Sequence, residues 1–154
     1  MTIATIPSKY HGGKQNPTKV VIHSMGEYIE AGDQEYFAKD FLDLLGYAAH
    51  YLICPSGVII QCIGNDYMGA HAKGHNEGSI GIEILVPGVW EYETFKERIK
   101  TPYMTGDQYT AAIELCRTLR TLNFVRHSDI DPSRKVDPGD GLDWQTFLSD
   151  IDNG

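Results

Sequence analysis

Positive charge is scarce in this chain. Thirteen Lys and Arg stand against 21 Asp and Glu, a formal charge of −8. That balance excludes a protein that holds nucleic-acid phosphates by counterion release, which needs clustered cations, and it excludes electrostatic capture by an anionic polymer surface. Cysteine is scarcer still. Cys54, Cys62 and Cys116 are an odd number without C-x-x-C spacing, so neither a disulfide framework nor a sulfur-rich metal site is indicated, and a reducing compartment fits them. Met1 to Tyr10 lacks the basic start and apolar run of a signal peptide, and no later stretch approaches the roughly 20 apolar residues of a membrane span. The chain is therefore expected to be soluble, cytoplasmic on synthesis, not self-exporting and not inserted in a membrane. No repeat, single-sign charge run or Pro/Ser-rich linker divides it.

What is present fits one core. A length of 154 residues with 42% hydrophobic content predicts a single domain over residues 1–154 with no separate binding module. Sixteen Gly and seven Pro predict many turns between short elements. Lys19 to His23 is an apolar run of strand formers, as in a central strand. Asp33 can cap a helix on which Phe37, Phe41, Leu44 and Leu45 recur with helical spacing before Gly46. Strands at about Ala49 to Ile53 and Val58 to Ile63 flank Pro55-Ser56-Gly57, a hairpin signal. Ser79 to Val86 predicts another strand, and Thr105 with Gln108 a capping box for a helix bearing Tyr109, Ala112, Ile113, Cys116 and Leu119 on one face. A short strand near Phe124 to Arg126 and an amphipathic turn around Trp144, Phe147 and Ile151 follow. Hairpin and crossover connections alternate, which predicts an α/β fold with a mixed sheet packed by helices.

Three features carry chemistry. His23 ends a buried strand, a rigid place for a ligand, although a lone strand-end histidine is also a common structural residue. The segment His127 to Gly139 is rich in the nitrogen and oxygen donors that suit Zn²⁺. In an extended segment Lys135 and Asp137 would face the same side, unless the segment is only a solvated turn. Glu83 interrupts an apolar strand, with Ile80, Ile82, Ile84 and Val86 on one face and Gly81, Glu83 and Leu85 on the other. A carboxylate there needs a cationic or metal-bound partner, or else the face meets solvent. Two His and one Asp would leave a fourth zinc position open for water, whose pKa falls to roughly 7. Glu83 would then shuttle its proton and Lys135 would stabilise the oxyanion.

The sequence resembles the zinc-dependent N-acetylmuramoyl-L-alanine amidases of type 2, which include phage endolysins, bacterial muropeptide amidases and peptidoglycan recognition proteins. The matching motifs are Val21-Ile22-His23-Ser24, Ala49-His50-Tyr51-Leu52-Ile53 with Pro55-Ser56-Gly57, His71-Ala72-Lys73-Gly74 with Asn76 and Ser79-Ile80-Gly81-Ile82-Glu83, and Arg126-His127-Ser128-Asp129-Ile130 with Arg134-Lys135 and Asp137-Pro138-Gly139. They run in family order over nearly the whole chain. The resemblance implies the type 2 amidase fold, one Zn²⁺ held by His23, His127 and Asp137, and Glu83 and Lys135 as catalytic groups. Ala49 stands where a tyrosine-dependent branch carries its tyrosine, which implies the glutamate type. His71 and Lys73 are expected at the substrate, peptidoglycan or a muropeptide; His50 is expected either there or behind the ligands, or else in the core; and the chain is expected to act as a monomer. A compact chain of this kind is expected to be an endolysin that reaches the wall through a holin-type membrane opening. The alternatives are a cytosolic amidase recycling anhydro-muropeptides and a non-catalytic peptidoglycan-binding module. Aromatic residues between Pro87 and Pro102 either wall the cleft or pack on the domain.

Overall fold

The computed structural model describes residues 1–26, 37–88 and 90–154. In chain order the elements are β1 (Ile3–Thr5), β2 (Lys19–Met25), α1 (Phe37–Leu45), β3 (Tyr51–Ile53), β4 (Ile59–Gln61), β5 (Ser79–Leu85), α2 (Tyr92–Arg98), α3 (Gly106–Thr118), β6 (Asn123–Arg126), α4 (His127–Ile130) and α5 (Trp144–Asp152). Six strands form one mixed sheet in the order β1-β4-β3-β5-β2-β6. Among the described strands only β3 and β4 pair antiparallel, because the Pro55-Ser56-Gly57 turn reverses the chain with Gly57 at a φ of 91°. The other pairs are parallel and need crossovers.

Both faces of the sheet are covered. On one face Ile22, Ile80, Ile82 and Ile84 pack with Cys116 of α3 and Phe147 of α5. On the other, Met25, Leu52, Ile60 and Leu85 pack with Ala38 of α1. Each such aliphatic side chain removed from water contributes about 1.5–3 kcal/mol. The expected capping box is present: Gln108 N–H donates to Thr105 Oγ1 at 3.0 Å, and Thr105 N–H donates to Gln108 Oε1 at 3.4 Å. The buried Gln108 amide also donates to the carbonyls of Ile53 and Leu85, at 2.9 and 2.7 Å, and so ties α3 to the ends of two strands.

Several expectations change. The helix before Gly46 is present as α1, whereas Asp33 and the side chains of Phe37, Phe41, Leu44 and Leu45 lie outside what the structure describes. The two hairpin strands are shorter than their apolar runs, since the flanking residues turn into the loops. β1 is an edge strand too short for a periodic signal. The segment from Pro87 to Pro102 contains α2, whose Phe95 is buried while Tyr92 stays exposed and stacked against it. The donor-rich segment from His127 to Gly139 opens as the helical turn α4, where the Asp129 carboxylate accepts from the Arg126 backbone and guanidinium.

Candidate active site

Parallel strands deliver the central residues to one edge. The β2–β5 register places His23 directly beside Glu83, and both lie on the α1 face of the sheet. β6 runs parallel to β2 on its other side and ends where His127 begins α4. The chain then returns through residues 131–137, where Ser128 N–H donates to the carbonyl of Asp137 at 3.0 Å. Ser24 N–H donates to Asp137 Oδ2 at 3.3 Å, and the carbonyl of Pro138 accepts from Tyr103 Oη at 2.8 Å and from Ser24 Oγ at 3.4 Å. Asp137 is thus held from two sides.

Three donor atoms converge. His23 Nδ1 lies 2.9 Å from His127 Nδ1, and Asp137 Oδ2 lies 3.4 Å from the first and 3.2 Å from the second. Three lone-pair atoms in so small a triangle repel unless a cation or shared protons sit between them. Zinc bonds of about 2.0–2.1 Å in tetrahedral geometry separate neighbouring ligand atoms by about 3.3 Å, so the spacing and the donor set fit such an ion. All three side chains are buried. Burial would raise the Asp137 pKa, but the hydrogen bond from His127 and the nearness of both imidazoles outweigh it and hold the carboxyl well below the usual range. Burial lowers the pKa of His23, only partly offset by Asp137, so its imidazole is neutral and able to ligate.

Glu83 Oε1 lies 3.3 Å from His23 Nδ1, and with 8% of its surface exposed the residue does not face solvent. The donors open on a cleft of about 500 Å³. Lys135 and Arg134 flank one side, and Met25, Leu42, Tyr47 and Phe95 give it an apolar wall. Lys135 makes no ion pair among the described residues, whereas Arg134 is held by Asp131 at 2.8 Å. The segment carrying Lys135 and Asp137 belongs to no strand, and both residues line the cleft. Lys73 also lines it and is exposed, as a substrate contact requires.

His50 is fully buried, the core position that was the alternative to a place at the substrate. Its Nδ1 accepts from Gly81 N–H at 3.0 Å, and its Nε2 donates to the Tyr67 carbonyl at 2.7 Å. With both nitrogens engaged by backbone, it is a structural histidine. His71 does line the cleft, but its nitrogens are also taken, by His23 Nε2 at 3.0 Å and Ser79 Oγ at 3.2 Å. Its ring lies on Gly81, where an added Cβ would come within 2.5 Å of the ring. Gly81→Ala is accordingly expected to destabilise the fold by about 1–3 kcal/mol through overpacking. A urea denaturation midpoint equal to wild type would refute that contact.

His50 and His71 also set an acid limit. Burial holds both below the ordinary value of 6.5, and neighbouring imidazoles add to the effect at His71. The folded chain therefore keeps them neutral where the unfolded chain protonates, and stability is lost as pH falls below 6.5. Urea midpoints of metal-free protein are expected to fall as pH drops below 6.5, and a flat profile would contradict the burial argument.

Comparison with known proteins follows the same lines. The sequence model of the Amidase_2 family, N-acetylmuramoyl-L-alanine amidase, matches residues 13–140. The chain belongs to this family. It is thus an enzyme of the N-acetylmuramoyl-L-alanine amidase class. It is similar to the 1,6-anhydro-N-acetylmuramyl-L-alanine amidase AmpD of Enterobacter cloacae, 29% identical over 92% of this chain and 86% of that protein. A crystal structure of an AmpD selenomethionine derivative is 26% identical, with a TM-score of 0.73 over 97% of this chain and 94% of the other. The amidase LysC from Clostridium intestinale shares the fold, with a TM-score of 0.76 at 20% identity over 99% of this chain and 98% of its own.

Sequence reasoning missed the apolar wall and the roles of Ser79 and Tyr103. Met25 and Leu42 come from different elements, and nothing in their local spacing marks a shared surface. Ser79 belongs to a motif noted for its resemblance, but its hydroxyl partner is eight residues away and visible only in the fold.

Proposed function

We propose that the chain is a zinc amidase that cleaves the bond between the muramoyl lactyl group and L-alanine in soluble 1,6-anhydro-muropeptides. The observation that carries the chemistry is the Glu83 carboxylate beside a buried triangle of two imidazole nitrogens and a carboxylate. Soluble fragments as substrate are supported by the Enterobacter cloacae relative, which aligns over most of both chains. The endolysin reading has weaker support, because the endolysin LysCS from Clostridium intestinale, at 20% identity, speaks to the fold alone. A cytoplasmic site of action agrees with the proposed substrate, and no described helix is long and apolar enough to cross a membrane.

His23, His127 and Asp137 would hold the ion. When bound, zinc supplies Lewis-acid activation of the attacking water and the scissile carbonyl. Glu83 takes a proton from that water and returns it to the nitrogen of the departing alanine, as a general base and then a general acid. The Lys135 ammonium offsets the negative charge that grows on the carbonyl oxygen. The apolar wall displaces bulk water, which strengthens both effects.

Zinc-loaded protein, offered anhydro-muropeptide and intact sacculi separately, tests this reading by mass spectrometry of the products. Stem peptide with a free N-terminal alanine is expected from the soluble fragment, with the sacculi left uncleared. Clearing of sacculi would restore the endolysin reading. Products cut in the glycan, or no product, would overturn the amidase assignment.

A further inference from the structure

His71 is expected at the substrate, yet both its ring nitrogens face inward, toward His23 and Ser79. Asn76 Oδ1 accepts from the backbone N–H groups of His71 and Ala72, at 3.0 and 2.7 Å, and fixes where His71 starts. Gly81 leaves room for its ring. His71 Nδ1 then meets His23 Nε2 at 3.0 Å, and His71 Nε2 meets Ser79 Oγ at 3.2 Å. The direction of this chain of bonds follows from its far end. Ser79 Oγ lies 2.8 Å from the carbonyl of His75 and 2.9 Å from that of Asn76. Carbonyls only accept, so the single hydroxyl proton goes to one of them, and Ser79 must accept from His71 Nε2–H. His71 Nδ1 is then bare and must accept from His23 Nε2–H. The remaining nitrogen of His23, Nδ1, carries the free lone pair.

We propose that Ser79 and His71 select the tautomer of His23, so that Nδ1 is presented to the ion as a ready acceptor. His71 is on this account a positioning residue that acts through His23 and not a substrate contact. His127 has no equivalent support, since its Nε2 is buried without a partner among the described residues. The asymmetry makes His23 the preset ligand of the pair. The inference rests on the metal reading of the site, and outer partners of this kind change metal affinity by about 10–100-fold.

Two substitutions at one position separate packing from hydrogen bonding. His71→Phe keeps a ring over Gly81 but removes the acceptor; His71→Asn gives up the ring but can present an amide oxygen to His23 Nε2–H. Chelator competition is expected to show zinc bound about 10–100-fold more weakly by His71→Phe, and His71→Asn recovering most of the loss. Equal affinity in wild type and His71→Phe would overturn the proposal. Ser79→Ala, a milder change, is expected to weaken zinc in the same direction. Nitrogen-15 spectra of the full-length wild type without metal read the tautomers directly. Protons on Nε2 of both His23 and His71 are expected, and a His23 proton on Nδ1 would reject the inference. Wild-type protein that binds no zinc would sink the proposed function instead, while the nitrogen signals decide the tautomer in either case.

Discussion

Glu83→Gln is expected to lower kcat by about 10²–10⁴-fold, the usual share of a positioned general acid or base, with zinc content unchanged. The substitution keeps size and shape but removes the ability to take a proton. The register that sets Glu83 beside His23 is made by backbone bonds between β2 and β5, which the side chain does not affect. Glu83 is also outside the group of three donors that can share one ion among the described residues, so metal binding is not expected to depend on it. Metal analysis together with single-turnover kinetics separates these effects. Loss of zinc in this variant would make Glu83 a ligand, and wild-type turnover with zinc bound would remove it from the proton path.

Asp137→Ala is expected to weaken zinc by more than the roughly 100-fold that loss of an outer partner costs, and to abolish turnover with it. Asp137 is the one anionic member of the three donors and stays ionised in the interior because two imidazoles sustain it. Without it, two neutral nitrogens face the ion alone. The same change strips Ser24 N–H of its acceptor, which adds about 1–3 kcal/mol of instability if no water takes its place. Ser24→Ala keeps that backbone bond and loses only the hydroxyl contact to the Pro138 carbonyl, so it is expected to be the milder change. Zinc affinity by chelator competition and a urea midpoint measure the two losses independently, and an Asp137→Ala chain with wild-type zinc affinity would remove Asp137 from the ligand set.

Much of the framework was readable along the chain. Apolar strand formers at Val20 to Ile22 and the alternation from Ile80 to Val86 marked the two central strands, and Thr105 with Gln108 marked the start of α3. These are local signals, because strand pleating and helix capping act over a few residues. Failures came where the signal was short or ambiguous. β1 has three residues, and α2 lies in a charged, aromatic segment whose helical face is defined mainly by Phe95 and Ile99 against the core.

The sequence by itself determined the chemistry available: two histidines and an aspartate able to hold an ion, a glutamate in an apolar strand and a lysine two residues before the aspartate. It also determined family membership, through motifs in order along the chain. Only the tertiary structure decided which polar residues meet. His50 and His71 looked alike as histidines near the cleft, yet one is locked to backbone inside the sheet and the other braces His23. The reason is geometric. A side chain's partner is set by strand register and loop closure between segments tens of residues apart, and His23, His71 and His127 are brought to one point by the order β5-β2-β6, which no spacing along the chain encodes.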